Sequence, residues 1–577
     1  MKKFLSMLTF AAMVMSFAAC DEDDDGTKFS NPEIVAVGES ISEMPGETVE
    51  INLSVSAEAG IKTLSVSGAA TGDVTFDGDD TNQVVSYPFT VPANAAEGTE
   101  YDFTFTLTDK KDKTATANVT VTASETPSKT ITIVTGDGGV EDMKTSDAIN
   151  WDAASKTYTL KGNNTYILEG FVFVNDGQTI KIEPGTVIKG KPGQGSGASA
   201  LIIARGGKIM AEGTAANPIT FTGVADDLDG SIADDETALW GGLIILGKAT
   251  NNNNHTSNVV NIEGIPTEEE RGSHGGDDDA DNSGVLKYVS VRHGGSVIGA
   301  DNEINGITFG SVGSGTVVEN VEVFSNFDDG IEFFGGTVNV KNFLISYCGD
   351  DGIDIDLGYR GNLQNGIVWT KSEVLQSSDP CAAELDGGDG NSEEADPFAT
   401  PKLANITFLF EDADAGNKNL NRALYFRDNY RGSLLNSIVV GHDGQLDIER
   451  LTSLDESSYV GFGTDYTIEG NIFYNVNGVV DGTSFADVFN LSGNGDDATL
   501  EGEVETTLGS ANAIGNPELG SGSDRFKPAG AMVKENIAAL PEGSTLEATT
   551  YKGAVDPDQA TPWYANWSKL SAVSSAE

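Results

Sequence analysis

Two short acidic motifs have the residue types and the spacing that could do chemistry. Each has the order Asp-Asp-Gly-Ile followed by a third acid. They are Asp328-Asp329-Gly330-Ile331-Glu332 and Asp350-Asp351-Gly352-Ile353-Asp354, with Asp356 just beyond the second. Carboxylates a few ångströms apart repel each other unless they are protonated, or bridged by arginine or a metal. If the two motifs stack, they therefore predict one acidic site that needs a stabilising partner.

Three interpretations of this acidic edge are open. Calcium is satisfied by several carboxylate and carbonyl oxygens in flexible geometry, which favours a structural ion, or else an arginine bridge, at Asp329 and Asp351. A glycan-binding face would combine the acids with aromatic and arginine side chains. A carboxylate pair could hydrolyse a glycosidic bond, with one acid and one base or nucleophile. The ligand-binding candidates are Glu332, Asp354, Asp356, Tyr359, Trp369, Tyr430 and Arg431, and the catalytic candidates are Asp328, Asp329, Asp350, Asp351 and Arg360.

A second acidic loop, rich in glycine, runs from His274 to Asn282. It lacks the ligand order of an EF-hand, which a glutamate closes at the twelfth position. Asp277 and Asp279 are its candidate calcium ligands, and a solvated loop without an ion is the alternative.

The elements that must position these acids are short strands that repeat along the chain. From about residue 130 onward, segments rich in valine and isoleucine recur at a pitch of a little over twenty residues, with glycine at the corners. Examples are 179–188, 200–209 and 240–247. Repetition at this period is typical of a solenoid. We therefore expect a parallel β-helix over 130–577, with the two acidic motifs on adjacent coils.

Asparagine recurs inside these repeats in a constant apolar setting. The residues are Asn320, Asn342, Asn365, Asn405 and Asn436, with Asn471 as a candidate sixth member. Equivalent positions of a parallel β-helix stack about 4.8 Å apart, so inward-turned asparagines can hydrogen-bond to their copies above and below. We expect an amide ladder, and unrelated turn residues are the alternative.

The pattern before residue 126 is different. Segments such as 48–55 and 101–107 alternate polar and apolar residues at period two, with turn residues between them. This alternation is typical of an antiparallel sandwich. We expect one immunoglobulin-like spacer module over 30–125.

The N-terminus has the features of an export signal. Two lysines precede an apolar run, 4–17, and Ala18-Ala19-Cys20 follows. This order predicts a signal peptide over 1–19 and lipidation of Cys20, with a chance cysteine as the alternative. Acyl chains on Cys20 would be the only membrane attachment. The acidic tether over 20–29 is similar to the export tract of surface lipoproteins, so we expect an outer-membrane protein that faces outward rather than toward the periplasm.

Composition limits the partners. The 577 residues carry 34 Lys+Arg against 89 Asp+Glu, a net charge of −55. Such a charge repels nucleic acid and other polyanions and favours cations, neutral ligands or basic partners. A glycan partner would therefore be neutral or calcium-bridged. Cys348 and Cys381 could form a disulfide in an oxidising compartment or remain two buried thiols.

Five segments share a recognisable sequence pattern. They are Pro184-Gly185-Thr186-Val187-Ile188, 207–214, Pro218-Ile219-Thr220-Phe221, Trp240-Gly241-Gly242-Leu243 and 329–336. This pattern resembles the sequences of the pectin-lyase-like right-handed parallel β-helix superfamily, in particular those of bacterial β-helix surface lipoproteins. The resemblance covers roughly 130–577 and implies an all-β chain, an immunoglobulin-like β-sandwich followed by a right-handed parallel β-helix. It also implies polysaccharide ligands but no particular reaction, because that superfamily holds lyases, hydrolases, adhesins and binding proteins.

The catalytic elements of that superfamily match only in part. The Asp-Asp pairs are similar to polygalacturonase-type hydrolases, which set three aspartates on neighbouring coils, but the Gly-His-Gly and Arg-Ile-Lys elements are missing. A lyase would need a basic residue beside calcium, and Arg360, Arg427 and Arg431 are candidates. We therefore predict a lipid-anchored surface protein that binds, or alternatively processes, extracellular polysaccharide. The alternative from another class is a structural or adhesive protein with a calcium-stabilised β-helix and no enzymatic activity.

Overall fold

The computed structural model describes most of the chain after residue 28. The described residues are 29–36, 40–46, 48–76, 81–92, 95–96, 98–124, 130–143, 150–162, 164–253, 258–299, 302–377, 380–388, 396–411, 422–450, 467–493 and 498–576. The chain divides into two units, Met1–Ser128 and Lys129–Glu577. The predicted signal peptide and Cys20 lie outside the described residues.

The first unit is a sandwich of two mostly antiparallel sheets. Its strands alternate polar and apolar residues, and the apolar ones, such as Leu53, Phe103 and Val121, form its core. In spatial order one sheet contains Glu33–Ala36, Thr48–Ser56 and Asn82–Thr90, and the other contains Ser40–Glu43, Thr114–Ala123, Glu100–Asp109, Ile61–Gly68 and Gly72–Thr75. The predicted immunoglobulin-like sandwich is confirmed.

The second unit is a parallel β-helix, as predicted, and one of its two long sheets carries the acidic motifs. Each coil contributes one short strand to this sheet, which we call sheet 1. Neighbouring coils pair in register, so that Ile307, Ile331 and Ile353 stack in the interior. Strands buried in parallel sheets are typically rich in valine, isoleucine and leucine, as here. In spatial order sheet 1 contains Phe171–Val174, Ala200–Ile203, Leu243–Leu246, Ile307–Gly310, Ile331–Phe334, Ile353–Asp356, Ala383–Asp386, Arg422–Arg427, Gln445–Arg450 and Phe489–Gly493.

The other long sheet, sheet 2, covers the remaining sides of the coils. All its pairings are parallel except the first, between Asn150–Asp152 and Thr157–Leu160. The further strands are Thr165–Leu168, Thr179–Ile182, Val187–Gly190, Lys208–Glu212, Ile219–Gly223, Gly284–Gly294, Val317–Asn326, Asn339–Cys348, Asn362–Lys371, Lys402–Glu411, Ser433–Leu435, Ile438–Val440, Thr467–Glu469, Ile472–Tyr474, Ala513–Ile514 and Thr130–Ile133.

Short elements complete the unit. Two small hairpins pair Val260–Asn261 with Ser273–His274 and Val297–Gly299 with Asn302–Glu303. Helix α1 is Ala498–Ala511 and helix α2 is Lys569–Ala576. Among the described residues the 3-10 helices are Gly139–Met143, Gly195–Gly197, Glu270–Gly272, Ser372–Val374, Gly522–Asp524 and Ala531–Lys534. Among the described residues, every helix is too short or too polar to cross a membrane.

The predicted asparagine ladder exists on three consecutive coils. Asn342 Nδ2 donates to Asn320 Oδ1 at 3.3 Å, and Asn365 Nδ2 donates to Asn342 Oδ1 at 3.1 Å. All three residues have φ between 55° and 59°, a left-handed conformation that bends each long strand of sheet 2 and that asparagine tolerates better than most residues. The side chains are half-buried at the bend rather than inside the coil.

The ladder does not continue as predicted to the later asparagines. Asn405 Nδ2 donates to the carbonyl of Tyr551 at 2.9 Å, and Asn436 Nδ2 donates to the carbonyl of Ala538 at 3.1 Å. Asn471 likewise bonds elsewhere, with the carbonyl of Leu434. The C-terminal part of the chain therefore takes the place of a stacked amide for Asn405 and Asn436.

Residues 545–576, which we call the C-terminal strap, run back over the outside of sheet 2. Tyr564 and Trp567 pack in one apolar cluster with Phe324 and Trp369. The carboxylate of Glu322 is fully buried and accepts the backbone N–H groups of Lys569 and Leu570 at 2.9 and 2.8 Å. Because these N–H groups begin helix α2 and lack partners within it, Glu322 anchors the end of the strap.

The two cysteines of the β-helix are not joined. Cys348 and Cys381 are both buried thiols. Of the two alternatives open from sequence, the structure therefore shows the thiols.

Candidate functional site

The third acid of each motif, Glu332 and Asp354, lies on the outward face of sheet 1, because side chains alternate along a strand. Glu332 is aligned with Asp354, and Asp354 is aligned with Glu384 on the following coil. Their neighbours Phe333 and Ile355 point into the core. Parallel pairing in register thus produces a row of outward carboxylates, one per coil.

The turns that precede these strands hold a second row of side chains. Asn305 Oδ1 accepts the N–H of Asp329 at 3.2 Å, and Asp329 Oδ1 accepts the N–H of Asp351 at 2.9 Å. Asp351 Oδ1 in turn accepts the N–H of Cys381 at 2.5 Å. Each side chain therefore fixes the turn of the next coil, which is why the Asp-Asp-Gly sequence repeats.

Seven carboxyl groups meet at this place, and we call them the carboxylate cluster. They form three overlapping sets, in each of which one oxygen per residue lies within 4.8 Å of the others. The sets are Glu263 with Glu303 and Asp328, Asp328 with Asp329 and Asp350, and Asp329 with Glu332 and Asp354. Because Asp328 and Asp329 are shared, the sets make one continuous group.

Sequence reasoning missed Glu263 and Glu303. Glu263 follows the small strand Val260–Asn261, and Glu303 ends the small strand Asn302–Glu303. The N–H of Glu303 donates to Glu263 Oε1 at 3.3 Å, which holds the two loops together beside Asp328. Neither residue lies in a motif, so no local signal could have found them.

Burial and mutual repulsion strongly raise the pKa values of acids in the cluster. Burial, reinforced by neighbouring carboxylates, raises the pKa of Asp328 to about 8 and that of Glu263 to about 7. The same causes raise the pKa values of Asp329, Glu332 and Asp354 well above the usual range. The cluster cannot be fully ionised at neutral pH unless a cation joins it.

One arginine neutralises the edge of this region. Arg427 Nη1 lies 2.8 Å from Glu384 Oε1, and its Nε lies 2.7 Å from Asp386 Oδ1. Burial lowers the pKa of Arg427, but the hydrogen bond and charge of Asp386 and the charge of Glu384 outweigh it, so the net shift is upward. Arg427 is therefore a bound counter-ion with little capacity to act as a base.

The donor set of the cluster fits calcium. All its side-chain donors are carboxylate oxygens, the ligands that calcium prefers, and they come from loops and turns that tolerate irregular geometry. In addition, Asp354 Oδ1 is buried and has no hydrogen-bond partner among the described residues. A buried oxygen without a donor is costly, and a cation would satisfy it.

Comparison with known proteins agrees with this architecture. The family of pectate-lyase-like β-helix domains matches residues 152–518. The chain belongs to this family. The bacterial immunoglobulin-like domain family matches residues 30–122. None of the curated proteins matches the chain.

Among solved structures, the chain of this pectate-lyase-like protein is similar to pectate lyase Pel3 from Pectobacterium carotovorum. The match has 10% identity, covers 80% of this chain and 98% of that chain, and has a TM-score of 0.11. At so low a TM-score no residue role can be transferred.

Three aromatic residues predicted to line a glycan face are buried instead. The Tyr359 ring stacks on Phe333 at 4.4 Å, and its hydroxyl donates to the carbonyl of Val338 at 2.6 Å. Tyr430 belongs to the same core as Tyr359, and Trp369 is covered by the C-terminal strap. The prediction was wrong because both tyrosines pack inside the coils and because a further layer of chain covers the outward-facing Trp369.

The structure does not bring Arg360 or the second acidic loop into the carboxylate cluster. Arg360 holds Asp279 with two hydrogen bonds, of 2.9 and 3.0 Å, so each satisfies the other. Asp277 is exposed and belongs to none of the carboxylate sets found among the described residues. Arg431 stacks its guanidinium on Phe398 at 3.6 Å and donates to Asn429.

The predicted metal ligands at the acidic motifs need one correction. Asp329 does belong to the carboxylate cluster, whereas Asp351 belongs to none of the described ligand sets, and its Oδ1 accepts the backbone N–H of Cys381. Glu332 and Asp354, predicted as ligand-binding residues, are brought into the cluster with Asp328 and Asp350.

Proposed function

We propose that this pectate-lyase-like β-helix binds an extracellular polysaccharide on the outward face of sheet 1, with calcium held by the carboxylate cluster. The observation that carries the proposal is the meeting of seven carboxyl groups, including the unpartnered Asp354 oxygen, on one side of a β-helix. Membership of a pectate-lyase-like family supports a polysaccharide as the ligand.

Calcium explains how so acidic a protein could hold a glycan. The chain carries a net charge of −55, which repels an anionic polysaccharide and attracts cations. Bound at Asp329, Glu332 and Asp354, calcium would supply the positive charge that balances these acids. Hydroxyl or carboxylate oxygens of a glycan could complete its coordination, since calcium accepts six to eight oxygen ligands.

Binding is a better account of this geometry than cleavage. A lyase needs an available base, but Arg427 is bound by Glu384 and Asp386, and Arg360 is bound by Asp279. For the rival, an adhesive protein, the acids should point freely to solvent on a convex edge. Instead, Glu263 and Glu303 bring two loops beside Asp328; Asp329 and Glu332 are buried, and the other five acids are only partly exposed.

We also propose that Cys20 carries the lipid that holds the protein on the outward side of the outer membrane. The support is the order of lysines, apolar run and small residues before Cys20, and the acidic tether after it.

A glycan array probed with acyl-free protein, carrying Cys20→Ala, tests the binding proposal. We expect binding to at least one polysaccharide in about 1 mM calcium, the range of extracellular calcium modules, and its loss in chelator. The double variant Glu332→Gln, Asp354→Asn should lose binding, because it removes two of the proposed ligands while keeping their shapes.

Asp277→Asn is the matched control, since it removes one exposed carboxylate outside the cluster. Glycan binding that survives both chelation and the double variant would refute the proposed site. Calcium binding without any glycan binding would instead support the adhesive alternative.

A further inference from the structure

A crevice on sheet 2 has the properties of a second, smaller ligand site. It lies between three consecutive coils and the C-terminal strap and has a volume of about 250 Å³. Val317, Asn339 and Asn362 line it on the coil side, and Thr545 and Leu546 line it on the strap side. We propose that this strap crevice binds one neutral pyranose ring of a saccharide.

Hydrogen bonds hold the floor of the strap crevice in one orientation. Asn339 Oδ1 accepts the backbone N–H of Asn362 at 3.0 Å, the Asn362 amide at 2.8 Å and the Thr545 hydroxyl at 3.2 Å. With its oxygen engaged three times, Asn339 has a fixed amide, and its Nδ2 donates to no group among the described residues. Two unused N–H donors in a cavity fit a hydroxyl oxygen.

The charges around the strap crevice favour a neutral ligand. Lys341 Nζ lies 2.5 Å from Glu547 Oε1, and Lys287 Nζ lies 3.1 Å from Glu319 Oε2. Both charge pairs are at least partly exposed, and each is balanced. A charged ligand would have to compete with one of these pairs, whereas a neutral ligand leaves both intact.

Size and apolar surface point to one sugar ring. Val317 and Leu546 line the crevice together with amides and hydroxyls, and this mixed lining suits a ring with C–H faces and a hydroxyl rim. Pockets for drug-sized ligands usually measure about 300–1,000 Å³, so this smaller crevice limits the occupant to about one ring.

This site does not depend on the carboxylate cluster. Its lining comes from sheet 2 and the strap, and it contains none of the seven clustered carboxyl groups. Binding there should therefore be independent of calcium, which separates this inference from the proposed function.

Saturation-transfer NMR of the acyl-free protein tests the inference, with the methyl glycosides of glucose, galactose, mannose and N-acetylglucosamine as probes, in chelator. Leu546→Trp fills the crevice and should abolish the signal. Asn339→Asp keeps the oxygen that Asn362 and Thr545 need but removes the unused donors, and it should weaken binding about fivefold. Glu542→Trp is the control, because Glu542 is an exposed residue just before the strap and outside the crevice lining.

We expect signal from at least one probe with the parent protein and with Glu542→Trp. The inference is overturned if no probe gives a signal, if Leu546→Trp leaves the signal unchanged, or if binding requires calcium. Should Leu546→Trp lower the melting temperature, the isosteric Asn339→Asp decides the question by its affinity alone.

Discussion

Removing calcium should destabilise the β-helix, because the carboxylate cluster would then carry unbalanced charge. An ion that binds only the folded state stabilises it by about 2.7 kcal/mol when its concentration is 100 times the Kd. The unit Lys129–Glu577 has an unfolding entropy of roughly 0.9 kcal/mol/K, at about 2.1 cal/mol/K per residue. Chelator should therefore lower the melting temperature by about 3 °C, and calorimetry in a calcium series measures this directly.

The same reasoning gives the pH dependence without calcium. The pKa of Asp328 is raised from 3.8 to about 8 and that of Glu263 from 4.5 to about 7, so the folded state binds more protons than the unfolded state in this range. The contribution of these two groups to the free energy of unfolding should therefore be greatest below about pH 4. It should fall as pH rises toward about 8. Calcium should flatten this slope, because the ion replaces the protons.

The double variant Glu332→Gln, Asp354→Asn distinguishes the interpretations. If calcium binds the cluster, the variant should melt at the same temperature with and without the ion. Asp329 is left intact because its oxygen holds the N–H of Asp351. A parent protein whose melting temperature is the same in calcium and in chelator, and the same from pH 5 to 8 in chelator, would refute the reasoning.

Three further predictions concern other parts of the chain. Cys20→Ala should move the protein from the membrane fraction to the soluble fraction on cell fractionation; continued membrane association would argue against the lipid anchor. Asn342→Leu should cost about 2–4 kcal/mol in denaturant unfolding, because two ladder hydrogen bonds are lost and leucine is strained at φ 57°; an unchanged midpoint would show that the ladder is unimportant. Glu322→Ala should speed proteolysis or hydrogen exchange of the strap, because helix α2 loses its buried anchor; equal protection in variant and parent would contradict this role.

Local periodicity was enough to predict both domains. Alternation at period two, as in 48–55, requires a sheet with one buried face, and the core positions of the sandwich follow from it. In the β-helix each coil repeats the same contacts, so the spacing of 22 residues between Asp329 and Asp351 places them on adjacent coils. The short-range ladder from Asn320 to Asn365 was predictable for the same reason.

The surroundings of these repeats depended on chain segments far away in sequence. Trp369 faces outward from its coil, yet residues from 526 to 573 cover it. The side-chain amide of Asn405 donates to the carbonyl of Tyr551, whereas the repeat predicts a hydrogen bond with another asparagine. The repeat pattern of a coil does not show which segment, further along the chain, will cover that coil.

The acidic motifs and the order of coils were therefore determined by the sequence itself, because in-register stacking converts a repeat directly into a row of side chains. The completed site was decided only by tertiary structure. Glu263 and Glu303 lie beside Asp328 but come from separate loops. Arg360 binds Asp279, 81 residues away, and so is not available to the site. Such long-range electrostatic pairs depend on the positions of loops in the folded structure. Sequence spacing alone does not determine those positions.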